Sequence, residues 1–294
     1  MHEAAHIVGH CVVHSLEHCL VLLPFLFLTY LAMEFMEHKT AGKVQAVIKK
    51  GGRLGPLFGG LLGALPQCGF SAAASSFYAG RVITLGTLIA IYLSTSDEML
   101  PILIAEVGEI GIAPIIKILV LKVIIGMIAG FIVDLCIRPK KEEHSHIHEM
   151  CEHDHCHCEE GENIWKSALV HTVKIFVFLI LITFGVNVLL EFLGEDVLEN
   201  LILNKPVIGQ FLAGIVGLIP NCASSVVLTR LYLEGAMSFG ACMSGLLVGA
   251  GVGLLVLFRA NSDKKDTLKV VLLLYAIGVL VGILLELAGF NVLV

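Results

Sequence analysis

Gly63-Ala64-Leu65-Pro66-Gln67-Cys68-Gly69 lies inside a long apolar stretch, and a similar heptapeptide, Gly217-Leu218-Ile219-Pro220-Asn221-Cys222-Ala223, follows 154 residues later. The same offset aligns further identical residues, and after a short indel an offset of 152 aligns others. The aligned pairs include Gly60 and Gly214, Ser71 and Ser225, Gly86 and Gly240, Lys117 and Lys269, Gly126 and Gly278, Gly130 and Gly282, and Asp134 and Glu286. The chain is therefore a duplicated unit.

The composition is that of a polytopic membrane protein. The 294 residues are 57% hydrophobic and only 15% charged, and the mean hydropathy is +0.90. Apolar segments of roughly 20 residues, the length that crosses ~30 Å of hydrocarbon, predict six spanning helices, three in each half. These segments lie near 19–36, 83–104, 112–137, 168–193, 236–258 and 268–290.

The distribution of charge predicts that the two halves insert with opposite orientation. The loop at 38–53 is basic, whereas its counterpart at 194–200 is acidic. The later loop at 259–265 is basic, whereas its first-half counterpart around Glu106 and Glu109 is acidic. Because basic loops are cytoplasmic, these opposite biases indicate an inverted repeat, with an external N-terminus and a cytoplasmic 138–166 linker.

The two Pro-x-Cys segments, at about 54–80 and 207–233, are too long for one span and short for two. Proline at the centre of each breaks the helix, so we expect re-entrant hairpins whose tips meet near the bilayer midplane. If both arms span instead, the chain crosses ten times. The predicted fold is an all-α polytopic membrane protein made of two inverted repeats, each with three spanning helices and a Pro-broken helical hairpin. The expected regions are a His-rich segment (1–18), membrane repeat A (19–137), a His/Cys/acid-rich linker (138–166) and membrane repeat B (167–294).

The hairpin tips are the first candidate ion pathway. A broken helix at membrane depth frees backbone carbonyls, which survive there only beside protein or a polar cavity. The tips add amides, hydroxyls and thiols that could hold a metal ion, and the candidates are Pro66, Gln67, Cys68, Ser71, Ser75, Ser76, Pro220, Asn221, Cys222, Ser224 and Ser225. The alternative is that proline makes a kink and the small residues serve helix packing.

Two carboxylates, Asp97 and Glu98, lie within another apolar stretch. Charges at that depth are expensive and functional by default. They are about 100° apart on a helix, so we expect one of them, Asp97 in preference, to face the pathway as a cation ligand or proton carrier. The second half has Val248–Val252 at the aligned positions, so the repeat is chemically asymmetric here. The alternative is that both carboxylates sit at a membrane end and face water.

Four other ionisable residues in apolar segments are interpreted as topological. Lys122 and Lys174 are expected to extend their ammonium groups to the interface. Asp134 and Glu286 fall near predicted membrane edges.

Two tracts are rich in metal-binding side chains. The first has i,i+4 spacing at the N-terminus and the second lies in the linker. Their candidate ligands are His2, His6, His10, His14, His18, His144, His146, His148, Cys151, His153, His155, Cys156, His157 and Cys158. Such tracts are typical of metal binding, although neither has the closed spacing of a structural zinc site. A polar tether without metal is the alternative for the linker.

The repeated Gly-x-x-Gly-x-x-Pro-x-Cys (60–68 and 214–222), the Ser94-Thr95-Ser96-Asp97-Glu98 run and the His-rich linker resemble the bacterial ten-transmembrane heavy-metal exporters over essentially the whole chain. Members of that family are labelled manganese transporters or arsenic efflux proteins. The resemblance implies metal or metalloid export at Pro66-Gln67-Cys68 and Pro220-Asn221-Cys222, with Asp97 or Glu98 nearby.

These observations favour a secondary-active exporter of a divalent transition metal, manganese first, by alternating access with proton exchange. The alternative is an efflux carrier for arsenite or another soft metalloid or oxyanion; a membrane metal sensor and an intramembrane thiol enzyme fit less well. No P-loop motif occurs in the sequence, and we expect no enzymatic activity. The expected partners are the lipid bilayer of a prokaryotic inner membrane, the metal ion as substrate or regulator, and protons. A second copy of the chain is a candidate partner, and no cofactor or nucleic acid is expected.

Overall fold

The computed structural model describes ten helices of this chain. In chain order they are α1 (Gly55–Gly63), α2 (Cys68–Ala79), α3 (Leu85–Ser94), α4 (Met99–Ala105), α5 (Ile112–Cys136), α6 (Ile208–Gly217), α7 (Cys222–Leu233), α8 (Phe239–Val248), α9 (Val252–Ala260) and α10 (Lys264–Leu287). The described residues are 54–64, 68–96, 99–105, 108, 111–137, 207–220, 222–233, 235–291 and scattered helical positions within 20–31 and 165–184. No strand occurs among them, so the all-helical prediction is confirmed for this part of the chain.

Three helical segments are long and apolar enough to cross a membrane: Ile112–Cys136, Phe239–Ala260 and Lys264–Leu287. They agree with three of the six predicted spans. Both α5 and α10 bury one face and expose large aliphatic side chains on the other, as a helix in contact with lipid does. The predicted spans at 19–36 and 168–193 fall mostly outside the described residues.

The predicted span at 83–104 is divided. Helix α3 ends at Ser94 and α4 begins at Met99. The aligned segment of the second half is interrupted as well, because α8 ends at Val248 and α9 begins at Val252. In the second half the interruption uses glycine, since Gly251 has a φ of 52°, a left-handed conformation that side chains with a Cβ seldom adopt.

The Pro-x-Cys segments are flanked by helices on both sides. α1 and α2 lie on either side of 64–67, and α6 and α7 on either side of 218–221. With 9 and 12 residues, α1 and α2 are roughly 14 and 18 Å long, well short of ~30 Å of hydrocarbon. Their lengths favour re-entrant arms, and the number of crossings stays a prediction.

Each half packs in the same way. α3 lies against α1 and α5, and α8 lies against α6 and α10. Aligned glycines permit both contacts: a Cβ at Gly63 would overlap the Ser94 Oγ and the Ile91 carbonyl, and a Cβ at Gly217 would overlap the Gly245 carbonyl. The repeated glycines therefore mark close helix–helix approaches in both halves.

Aligned carboxylates cap the first interrupted helix of each half. Asp134 accepts hydrogen bonds from the Gly86 backbone N–H at 2.8 Å and from the Thr84 hydroxyl at 2.7 Å. Glu286 accepts one from the Gly240 N–H at 3.1 Å. A negative charge at a helix N-terminus is stabilising, so the topological interpretation of Asp134 and Glu286 was incomplete. They tie α5 to α3 and α10 to α8.

The two halves meet through crossed pairs. α2 of the first half packs on α9 of the second, and α7 of the second half packs on α4 of the first. α3 and α8 also contact each other. This arrangement brings the two helix interruptions, one from each half, into the same region of the protein.

Candidate functional site

The interruption in the first half is built from hydroxyl groups. The Ser94 Oγ donates to the Ala90 carbonyl at 2.8 Å, and the Thr95 Oγ1 donates to the Ile91 carbonyl at 2.7 Å. The Ser96 Oγ donates to the Ser94 carbonyl at 3.1 Å, and all three side chains are buried. The Ser96 hydroxyl satisfies the carbonyl of Ser94, the last residue of α3, and the Ser94 and Thr95 hydroxyls bond back to carbonyls of the preceding turn.

Lys122 lies against both interruptions. It is on the buried face of α5 with only 1% of its surface exposed. Its Nζ donates to the carbonyl of Thr95, just after the last turn of α3, and to the carbonyl of Leu246, in the last turn of α8, at 2.9 Å from the latter. One ammonium group thus joins the carbonyl ends of two helices from different halves.

The expectation that Lys122 reaches the membrane interface was therefore wrong. It lies ten residues from the start of α5, which is about 15 Å along the helix, and its side chain is directed into the protein. Lys174 is half-buried. A lysine near the middle of an apolar helix is by itself a functional signal, and the sequence contained that signal.

The second half has no charge at the corresponding position. The offset of 152 aligns Lys122 with Leu274, which is fully buried. The residues that follow the interruption differ as well, because the first half has Asp97 and Glu98 where the second has Gly251 and Val252. Asp97 and Glu98 lie outside the described residues, and their roles stay predictions.

A second polar contact joins the halves where α2 meets α9. The Ser75 Oγ lies 2.6 Å from the Tyr92 hydroxyl and shares its one proton between the carbonyls of Ser71 at 2.6 Å and Gly253 at 2.7 Å. The Tyr92 hydroxyl also lies 3.2 Å from the Gly253 carbonyl. A Cβ at Gly253 would come within 2.9 Å of the Ser71 Cβ, so α9 can approach α2 only through glycine. Ser75 was among the candidate residues, whereas Tyr92 and Gly253 were missed because they lie in ordinary apolar runs.

The predicted tip residues are placed only in part. α2 and α7 begin with Cys68 and Cys222, whose side chains lie outside the described set together with Pro66, Gln67 and Asn221. Ser71, Ser76 and Ser224 are buried, and Ser225 and Pro220 are half-buried. The Ser224 Oγ donates to the Ile219 carbonyl at 3.4 Å. Whether the two tips meet at the midplane stays a prediction.

Both His/Cys tracts lie outside the described residues, as do all 13 histidines of the chain. Within the part that the structure describes, no three His, Cys, Asp or Glu side chains are grouped closely enough to hold a metal ion. The metal ligands proposed from the sequence therefore remain predictions.

A polar cluster closes one end of the contact between the halves. Asp266, in the first turn of α10, accepts hydrogen bonds from the Tyr78 hydroxyl at 3.0 and 3.1 Å and from the Asn261 amide at 3.1 Å. It also forms an ion pair with Arg81 at 3.2 Å. Burial lowers the pKa of Arg81 but the Asp266 carboxylate raises it, and the net direction is upward. This cluster, Tyr78–Arg81–Asn261–Asp266, lies beside the basic 259–265 loop and ties the end of α2 to α10.

Comparison with known proteins identifies a family whose model matches this chain. A family model described as "Putative, 10TM heavy-metal exporter" matches residues 11–198, which include all of the first half and the linker. No curated protein and no solved structure matches the chain.

Proposed function

The chain belongs to the ten-transmembrane heavy-metal exporter family, and from that premise we propose that it exports a divalent transition metal, with manganese as the first candidate. The family name supports a transporter of heavy metals. The choice of manganese, the proton coupling and the alternating-access mechanism are parts of our proposal.

The observation that carries the proposal is the meeting of two interrupted helices at one buried ammonium group. α3 and α8 contact each other, and their carbonyl ends share Lys122. Interrupted helices at the interface between repeats are where secondary transporters commonly bind substrate and coupling ions. Non-helical backbone inside a membrane protein persists only where protein or a polar cavity satisfies its hydrogen-bonding groups, and an ion pathway provides such a cavity.

We assign the cation-binding role to the carboxylates that follow this interruption. Ser96 is buried, and Asp97 and Glu98 come next in the chain. Manganese prefers oxygen ligands, so Asp97 is the first ligand and Gln67 and Asn221 at the hairpin tips are further ones. With Lys122 as the nearby positive charge, two carboxylates leave a net negative site for a dication.

Alternating access follows if the halves are inverted. The crossed pairs α2 with α9 and α4 with α7 join corresponding helices of the two halves, which suits rocking between two states. The Tyr78–Arg81–Asn261–Asp266 cluster joins the halves on the side of the basic loop. We propose that it closes the cytoplasmic end and opens when cargo enters from the cytoplasm.

The energy for export is proposed to come from protons. The sequence contains no P-loop motif, and an intramembrane carboxylate that alternates between metal and proton provides exchange. The His/Cys tracts at 1–18 and 138–166 are proposed to capture or sense metal, the linker on the cytoplasmic side of a prokaryotic inner membrane. A homodimer is a further proposal.

A soft metalloid such as arsenite is the second candidate cargo. One observation favours it: α2 and α7 begin with Cys68 and Cys222, and a helix N-terminus stabilises the thiolate that binds soft ions. Arsenite transport would depend on these thiols, whereas manganese transport would depend on the carboxylates.

Export from proteoliposomes distinguishes the two cargoes. Vesicles are loaded with Mn²⁺, Zn²⁺, Fe²⁺, Ni²⁺ or arsenite, and the native chain is compared with Asp97→Asn/Glu98→Gln and with Cys68→Ser/Cys222→Ser. We expect Mn²⁺ export to fall about tenfold or more in the carboxylate variant and only modestly in the thiol variant. Arsenite export that disappears with the thiols would replace manganese, and export of no ion by the folded native chain would refute the transporter proposal.

A further inference from the structure

The Lys122 ammonium lies against protein backbone. Its acceptors include the carbonyls of Thr95 and Leu246, which lie where α3 and α8 end. The Leu246 carbonyl lies in the last turn of α8, where carbonyls have no intrahelical partner and carry the negative end of the helix dipole. The Thr95 carbonyl belongs to the non-helical residue that follows α3, and a cation between the two carbonyls is stabilised by both.

Because the site is buried, we expect it to favour a cation that donates hydrogen bonds. Lys122 has 1% of its surface exposed and Thr95 has 6%. A buried ammonium is costly unless it is hydrogen-bonded, and truncation of the side chain would leave dry carbonyls that are costly in their turn. The pocket that remained would have the shape of the lysine stem and would reach the carbonyls of Thr95 and Leu246.

The duplicated architecture provides an internal contrast. Leu274 occupies the aligned position on α10, is fully buried, and belongs to the same main hydrophobic core. Both helices fill their positions with side chains of similar volume, but only α5 supplies a charge. The ammonium is therefore not needed to pack this kind of helix contact.

We propose that the Thr95 and Leu246 carbonyls form a cation site whose resident occupant is the tethered Lys122 ammonium, and that Lys122 is the positioning residue that holds the two helix interruptions in register. The carbonyl site itself is independent of which cargo the protein carries. The positioning role rests on the proposed transport function, because it fixes the segment that leads into Asp97.

Chemical rescue tests the carbonyl site without any cargo. In Lys122→Ala, we expect a lower thermal unfolding temperature that recovers by more than half when n-propylammonium or n-butylammonium is added. The same concentration of n-butanol or tetramethylammonium should give no recovery, because the alcohol lacks the charge and the quaternary ion lacks N–H donors. Leu274→Ala is the matched control, since its cavity has a similar size and should not respond to amines.

The positioning role is tested with a variant that keeps the volume of the side chain. Lys122→Met retains packing and should remain folded, with metal export about tenfold slower and no response to amines. Lys122→Arg should keep most of the export. If Lys122→Ala yields no folded protein, purification with n-butylammonium throughout should restore a monodisperse sample.

Three results would overturn the proposal. The first is a Lys122→Ala protein, purified with or without amine, that gains nothing from n-butylammonium. The second is equal recovery of Leu274→Ala. The third is native export by Lys122→Met, which would remove the positioning role. If the native chain exports no metal but amines still rescue Lys122→Ala, the proposed transport function is refuted and the proposed carbonyl site is supported.

Discussion

The two helix interruptions occupy aligned positions and pack against corresponding helices of their own halves, but their side chains differ in chemistry. In the first half, three buried hydroxyl side chains lie at the end of α3, and Lys122 donates to the carbonyl of Thr95 just after it. In the second half, α8 ends in Val248-Gly249-Ala250-Gly251, and Leu274 takes the place of the lysine. The scaffold is therefore duplicated while the polar chemistry is concentrated on one side. This difference indicates that helix packing preserves the symmetry, whereas the polar contacts at the interruptions depart from it.

The largest expected effect falls on both halves alike. Gly63→Ala and Gly217→Ala each insert a Cβ into a backbone carbonyl of the neighbouring helix, and a packed core cannot yield at that point. We expect little or no monodisperse protein from either variant in size-exclusion chromatography. Gly108→Ala is the control, because nothing lies within 4 Å of its Cβ. If only one of the two aligned variants were lost, the halves would not be packed equivalently.

The caps should show a graded difference between the halves. Asp134 accepts two hydrogen bonds and Glu286 one, at a longer distance. We expect Asp134→Ala to lower the free energy of unfolding by about 1–3 kcal/mol and Glu286→Ala by about 1 kcal/mol. Thermal unfolding of the detergent-solubilised proteins measures both. A larger loss from Glu286→Ala would show that these hydrogen bonds are not the source of the stability.

A smaller difference is expected where α2 and α7 carry aligned hydroxyls. Ser75 bonds across to the second half through Gly253, whereas Thr229, aligned with it, bonds at 2.7 Å to Ser225 in its own helix. Ser75→Ala should destabilise by about 1 kcal/mol or more, and Thr229→Val by less than about 1 kcal/mol. Tyr92→Phe should resemble Ser75→Ala. Equal effects of Ser75→Ala and Thr229→Val would show that the contact across the halves adds nothing.

The smallest effect concerns two aligned turn residues with positive φ. Arg81 has a φ of 58° and Gly235, its counterpart, has a φ of 75°. Arg81→Gly removes about 1 kcal/mol of backbone strain. It also removes a partly exposed ion pair whose contribution to stability is similar or smaller, so the unfolding temperature should hardly change. Gly235→Ala should destabilise by about 1 kcal/mol, although its Cβ meets open space. A strong loss from Arg81→Gly would instead identify the Asp266 cluster as a main source of stability.

Much of the scaffold could be predicted from the sequence because its signals are local. Apolar length gave three of the spans, and the helices end and resume around Pro66 and Pro220 because proline removes a backbone donor. The repeated glycines identified the positions where helices touch. The interruption after Ser94 was not predicted as a break, because the local bonds of Ser94 and Thr95 to carbonyls four residues earlier also occur in continuous helices, and the bond from Lys122 to the Thr95 carbonyl comes from a distant helix.

The candidate site could be predicted only in part, because its central contact joins residues far apart in the chain. Lys122 lies 124 positions from Leu246, and nothing near Leu246 marks its carbonyl as an acceptor. Tyr92 was missed for the same reason, since its partner is the backbone of Gly253. The periodicity of apolar residues predicts which face of a helix is buried. It does not predict which backbone carbonyl a buried polar side chain will bind, because that depends on the tertiary structure.

The central claim is tested most directly by Mn²⁺ export from proteoliposomes. The Asp97→Asn/Glu98→Gln variant is compared with Val252→Ala, which lies at the aligned position of the second half. The claim is that ion handling belongs to the first interruption. We expect export to fall about tenfold or more in the carboxylate variant and to stay within about twofold of native in Val252→Ala. Equal rates in both folded variants would contradict the account.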